Sequence, residues 1–129
     1  SQVADADIDH VLGGEINARG NATGYHAEQA ADGSARIAPG ATAKQNANGT
    51  YEAPVQIFDA GKGRWVDKRY NSTFFPLDWS EARISYEVAE AFKRGGSTTS
   101  FIEKSPSGIR IQFHWDAENL RTTFYPLGN

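Results

Sequence analysis

Residues 108–125 read GIRIQFHWDAENLRTTFY, and this stretch decides the fold. From Gly108 to Trp115 apolar and polar residues alternate. Ile109, Ile111, Phe113 and Trp115 fall on one side, and Arg110, Gln112 and His114 on the other. Successive side chains of an extended chain point to opposite faces, so this is a strand with one face on a core. Asp116 to Asn119 supplies a turn. Leu120 to Tyr125 then pairs back, with Leu120, Thr122 and Phe124 on one face and Arg121, Thr123 and Tyr125 on the other. Thr123 and Tyr125 therefore point the same way, where both can line a cleft.

Upstream, Phe101 and Ile102 mark a short strand, and before it lies the one convincing helix, Trp79 to Arg94. Ile84, Val88, Ala91 and Phe92 recur at helical spacing as its buried stripe. Asp78 and Glu81 have the spacing of a capping box. Lys93 and Arg94 suit the negative end of the helix dipole, and Gly95-Gly96 ends it. Tyr51 to Phe58 alternates and predicts a strand that Pro54 confines to an edge or a bulge. A turn over Asp59 to Gly63 and a returning strand from Arg64 to Tyr70 complete a hairpin. Residues 18–50 are poor in large apolar side chains, so a long loop is expected there, functional in its first half and an irregular or mobile wrap over 30–47. Residues 4–12 predict a short helix with Asp7 or Asp9 as N-cap and Ile8, Val11 and Leu12 on one face. His10 lies off that face, and Gly13-Gly14 ends the helix. Residues 1–7 read as a linker entering a single domain, 8–129. The class is α+β: a helical N-terminal part, one packed helix and antiparallel strands.

The chain has 129 residues, no cysteine and no methionine. Disulfides, thiolate catalysis and cysteine metal sites are excluded. The missing methionine, at position 1 as elsewhere, leads us to expect a module cut from a longer chain. No apolar run is long enough to span a membrane. The net charge of −3 weighs against a nucleic-acid ligand, since phosphate affinity comes from Lys and Arg. The charge is uneven, however. Residues 62–69 hold Lys62, Arg64, Lys68 and Arg69 against Asp67 alone, enough for a local basic rim.

Two of the three histidines, His10 and His26, lie sixteen positions apart among glycines. Histidine is the side chain whose ordinary pKa lies nearest neutrality, so one can take a proton while another gives one. The pattern His10, two apolar residues, Gly14, Glu15, an apolar residue, then Gly24-Tyr25-His26 resembles the EndoU family of uridylate-directed endoribonucleases. Thr123-Phe124-Tyr125-Pro126 resembles that family's last strand. Ser72-Thr73-Phe74-Phe75-Pro76, followed by a helix, looks like its bacterial branch, found as C-terminal toxin domains of large secreted proteins.

The resemblance implies an RNase A-like, EndoU-like fold with a catalytic cleft, and RNA cleavage without metal or cofactor. His26 is then the base on the ribose 2′-hydroxyl and His10 the acid at the leaving 5′-oxygen. Gly24 lies near the phosphate. The third catalytic group is Lys68, four residues before Ser72, or Thr123 and Tyr125 of the last strand. Tyr125 can also stack on a base, and Ser72 or Thr73 can hydrogen-bond a uracil edge. The same resemblance implies a toxin of the contact-dependent growth-inhibition kind, secreted within a larger protein and acting on RNA, such as transfer RNA, in a target cell's cytoplasm. Its partners would be that RNA and a cognate immunity protein, and it would be a monomer or a 1:1 complex with that inhibitor. Glu15 is expected to support local backbone, His114 to be surface or structural, and Trp65, Trp79 and Trp115 to be core. A three-histidine metal site of His10, His26 and His114 lacks the close ligand pairs of such centres. The alternative to an enzyme is a non-catalytic RNA- or protein-binding module on the same scaffold.

Overall fold

The computed structural model describes residues 5–95 and 99–129. Helix α1 (Asp5–Gly13) opens the chain. Asp7 and Asp9 thus lie inside the helix, not at its N-cap, and Asp5–Asp7 belong to it instead of a linker; residues 1–4 lie outside the described residues, as does Gly96. The expected stripe is buried, at Ile8, Val11 and Leu12. The helix ends where it must: Gly14 takes a positive φ, and the carbonyls of Val11 and Leu12 accept the N–H groups of Tyr25 and His26. Orphan carbonyls of the last turn are thereby satisfied by the loop that carries the second histidine.

Residues 18–50 are more ordered than their composition suggested. Strands β1 (Glu15–Ile16) and β2 (Ala22–Thr23) form a small antiparallel pair. One turn of 3-10 helix follows at Glu28–Ala30. β3 (Ala35–Ile37) pairs with β6 (Val55–Asp59), and β4 (Lys44–Gln45) with β5 (Tyr51–Ala53). These elements are two or three residues long and owe their order to distant partners, not to their own propensity.

The expected strand Tyr51–Phe58 is two strands in two sheets, divided at Pro54. β5 pairs with β8 (Ser72–Phe74), and β6 with β7 (Arg64–Asp67). Lacking an N–H, Pro54 cannot continue the ladder. Helix α2 (Glu81–Gly95) begins two residues later than expected. Its cap is Ser80, whose hydroxyl accepts the Arg83 N–H at 3.1 Å, and not Asp78. The last sheet is β9 (Ser100–Lys104), β10 (Arg110–Asp116) and β11 (Arg121–Pro126), antiparallel with β10 central. Thr123 and Tyr125 share the face read from the sequence. Trp115 is about half exposed and Trp65 only partly covered, so of the three tryptophans Trp79 alone is fully in the core.

Two apolar cores result. In one, α1 and α2 pack on the β9–β10–β11 sheet through Leu12, Ile84, Val88, Phe92, Ile111 and Phe124. In the other, the small sheets enclose Tyr25, Tyr51, Val55, Ile57 and Phe74. Two extended segments cross between them. Tyr25 belongs to the second core and Ala27 to the first; Phe74 belongs to the second and Phe75 to the first. His26 stands at this seam. No helix of the described residues is long and apolar enough to cross a membrane.

Candidate functional site

His26 is held from three sides. Its N–H bonds Leu12 and its carbonyl accepts the Phe75 N–H at 2.9 Å. Its ring Nδ1 lies 2.8 Å from the Thr73 carbonyl. A carbonyl only accepts, so Nδ1 carries the hydrogen and Nε2 keeps its lone pair. The residue is 7% exposed. Burial, and after it the Lys68 ammonium, push its pKa down to about 3, against the opposing pull of the Thr73 bond. His26 is thus a neutral imidazole with a fixed tautomer. The backbone leading into it is left-handed at both Gly24 (φ 77°) and Tyr25 (φ 70°). A Cβ on Gly24 would stand 3.0 Å from the Val11 carbonyl oxygen and 3.2 Å from the Gly14 Cα, so glycine is what lets this loop touch the end of α1.

His10, one turn before the end of α1, is in the opposite situation. Its side chain is 55% exposed, and Nδ1 lies 3.3 Å from Glu15 Oε2. The other carboxylate oxygen of Glu15 pairs with Arg121 Nη2. Glu15 therefore does more than support local backbone: it joins α1 to β11. Sequence reading did not single out Arg121 as a site residue; its partner stands 106 positions away, and only the strand face it shares with Thr123 and Tyr125 hinted at the cleft.

His10, Gly24, His26, Thr123 and Tyr125 line one cleft of about 270 Å³, together with Glu15 and Arg121. A second cavity of about 340 Å³ shares His26 and Tyr125 and adds Lys68, Tyr70, Asn71 and Thr73. Tyr125 stacks near His26, with ring centres 5.8 Å apart, and its ring centre lies 6.2 Å from that of His114. The Thr123 hydroxyl reaches the His114 carbonyl at 3.4 Å.

Lys68 is not a solvated surface lysine. Its ammonium donates to the Gly24 carbonyl at 3.0 Å and to Ser72 Oγ at 2.8 Å, and burial brings its pKa down to about 8. Ser72 is fully buried and donates in turn to the Gly24 carbonyl at 3.1 Å. Ser72 lines neither cavity, whereas Thr73 lines the second. His114 is exposed beside Ser100 and lines neither cavity. Among the described residues no group of three or more His, Asp or Glu side chains is placed to hold a metal ion.

Two imidazoles line this cleft, each tied through Nδ1 to an acceptor, one buried and neutral and the other paired with a carboxylate. They stand in two unlike settings beside a buried lysine. The chain belongs to the bacterial EndoU nucleases, whose family pattern matches residues 4–128. It is similar to a protein named Toxin from Bacillus cereus, with 35% identity over 123 residues, covering 92% of this chain and 22% of that protein. The chain thus spans about a fifth of the length of that relative. No solved structure matches it.

Proposed function

We propose that the chain is a metal-independent endoribonuclease, the toxic domain of a larger protein, on an RNase A-like scaffold. The observation that carries this reading is the pair of differently set histidines on one cleft. His26 Nε2 takes the proton of the ribose 2′-hydroxyl, whose oxygen attacks phosphorus. The bond from phosphorus to the 5′-oxygen breaks, and that oxygen takes a proton from His10 Nε2. The products are a 2′,3′-cyclic phosphate and a 5′-hydroxyl. A pKa of about 3 makes the free His26 a weak base. The phosphodiester's negative charge, brought beside Lys68, raises it toward the working range. Lys68, the Tyr125 hydroxyl and, once it leaves the His114 carbonyl, the Thr123 hydroxyl are the donors for the developing phosphorane charge, and Gly24 lies near the phosphate. Tyr125 and Thr73 contact the base.

The toxin reading draws on the Bacillus cereus relative. From the family resemblance we further propose transfer RNA as target, uridine as preferred site, delivery into another cell's cytoplasm and a tight-binding immunity protein. Incubation of the chain with total RNA in EDTA tests the chemistry. Discrete fragments ending in 2′,3′-cyclic phosphate are expected, and His10→Ala or His26→Asn abolishes them while circular dichroism shows an intact fold. Intact RNA in EDTA and cleavage after metal addition would overturn the mechanism. Intact RNA under both conditions would leave a binding module.

A further inference from the structure

Arg121 holds an unusual place. Its side chain is 13% exposed and pairs with Glu15 through Nη2, yet its buried Nε has no hydrogen-bond partner. A guanidinium kept for stability would satisfy its donors, because a buried donor left unpaired costs about 1–3 kcal/mol. Replacing a buried ion pair with apolar side chains is often neutral or stabilising. What Arg121 does accomplish is local. It occupies Glu15 Oε1 and so leaves only Oε2 for His10 Nδ1. Among the described residues lining the cleft it is the one permanent cation.

We propose that Arg121 is a positioning residue that acts on His10 through Glu15, fixing the carboxylate's orientation and weakening its hold on the imidazolium proton. This rests on the reading of His10 as the acid. A carboxylate shared with a guanidinium attracts a second cation less than one that is free, so Arg121 makes His10 a readier donor. Other charges surround His10: Asp9 on its own helix, Asp32 and Glu81 across the adjoining groove, and Asp116 and Glu118 in the cleft wall. They make the neighbourhood acidic; Arg19 pairs with Glu118, and Arg121 opposes the acids from β11.

Nuclear magnetic resonance titration of the His10 ring in the full chain tests this without reference to RNA. Arg121→Met should raise the midpoint, and Glu15→Gln should lower it. Arg121→Lys, which keeps the charge, should leave it near the wild-type value. In a Glu15→Gln background, Arg121→Met should no longer raise it. If RNA is cleaved, the alkaline limb of kcat should follow the same order. Equal midpoints in wild type and Arg121→Met, or a shift that persists without Glu15, would overturn the proposal. Should Arg121→Met not fold, Arg121→Gln gives the same reading, and a lowered midpoint there overturns it. An inactive wild type would instead defeat the nuclease mechanism and leave this titration standing.

Discussion

Acidification should destabilise this protein through His26, and the size of the effect follows from its burial. In the unfolded chain the imidazole titrates at its ordinary value of 6.5; in the fold it titrates at about 3. Below pH 6.5 the unfolded state binds a proton that the folded state does not. Stability therefore falls as pH falls, by about 1.4 kcal/mol per pH unit, and no contribution from this group changes above 6.5. At pH 4 the loss is about 3 kcal/mol, a large share of the 5–15 kcal/mol typical of a domain. Asp32, Glu87 and Asp116, whose pKa values are depressed by hydrogen bonds, lose stability in the same direction at lower pH. The His26 share is isolated by comparison with His26→Asn, whose amide can replace the Nδ1–H bond to Thr73 and does not titrate. Urea unfolding followed by tryptophan fluorescence at pH 7.5, 6, 5 and 4 measures both. The wild type should lose about 3 kcal/mol more than the variant between the two ends, at unchanged urea dependence. Parallel pH profiles, within 0.5 kcal/mol, would refute the reasoning, as would a His26 ring resonance that titrates near pH 6.

Three further outcomes are expected. Gly24→Ala forces a Cβ into a left-handed backbone and against the Val11 carbonyl; chemical denaturation should show a loss of about 3 kcal/mol, with RNA cleavage falling more than the folded fraction does. Ser80→Ala removes the N-cap of α2; calorimetry should register about 1 kcal/mol, with cleavage unchanged. Lys68→Met removes the like charge that helps hold His26 neutral, so its ring should titrate at higher pH than in the wild type, though still below the ordinary value because burial, the larger cause, remains.

The parts of the fold legible in the sequence are those where periodicity is long. The alternation through 109–125 gave the pairing of β10 with β11, and Ile84 to Phe92 gave the buried face of α2. Where elements are two or three residues long, nothing local announces them. Ala35–Ile37 becomes a strand only because Val55–Ile57 lies beside it. By its sequence Pro54 disturbs one strand; in the fold it separates two. The histidines were visible as residue types flanked by glycine. Their unequal environments were not, since these depend on Glu15, on Lys68 and Thr73, and on Arg121, brought together from three distant segments.

The placement of His26 at the seam between the cores explains how one chain of modest size holds two imidazoles in different states. The 24–27 segment is anchored on one side by Tyr25, edge-on to Phe74 at 5.1 Å, and on the other by Ala27 in the helical core. Phe74 and Phe75 do the same for the segment that supplies the Thr73 carbonyl. Neither loop can shift without pulling a buried side chain from one core or the other, so the strained φ at Gly24 and Tyr25 is held by packing on both sides. His10 needs no such burial. It comes from the last turn of α1, whose end is stitched to the same loop by the Tyr25 and His26 N–H groups. His26 is therefore buried and held while His10 is exposed, and the backbone bonds between Val11–Leu12 and Tyr25–His26 tie the two segments that carry them.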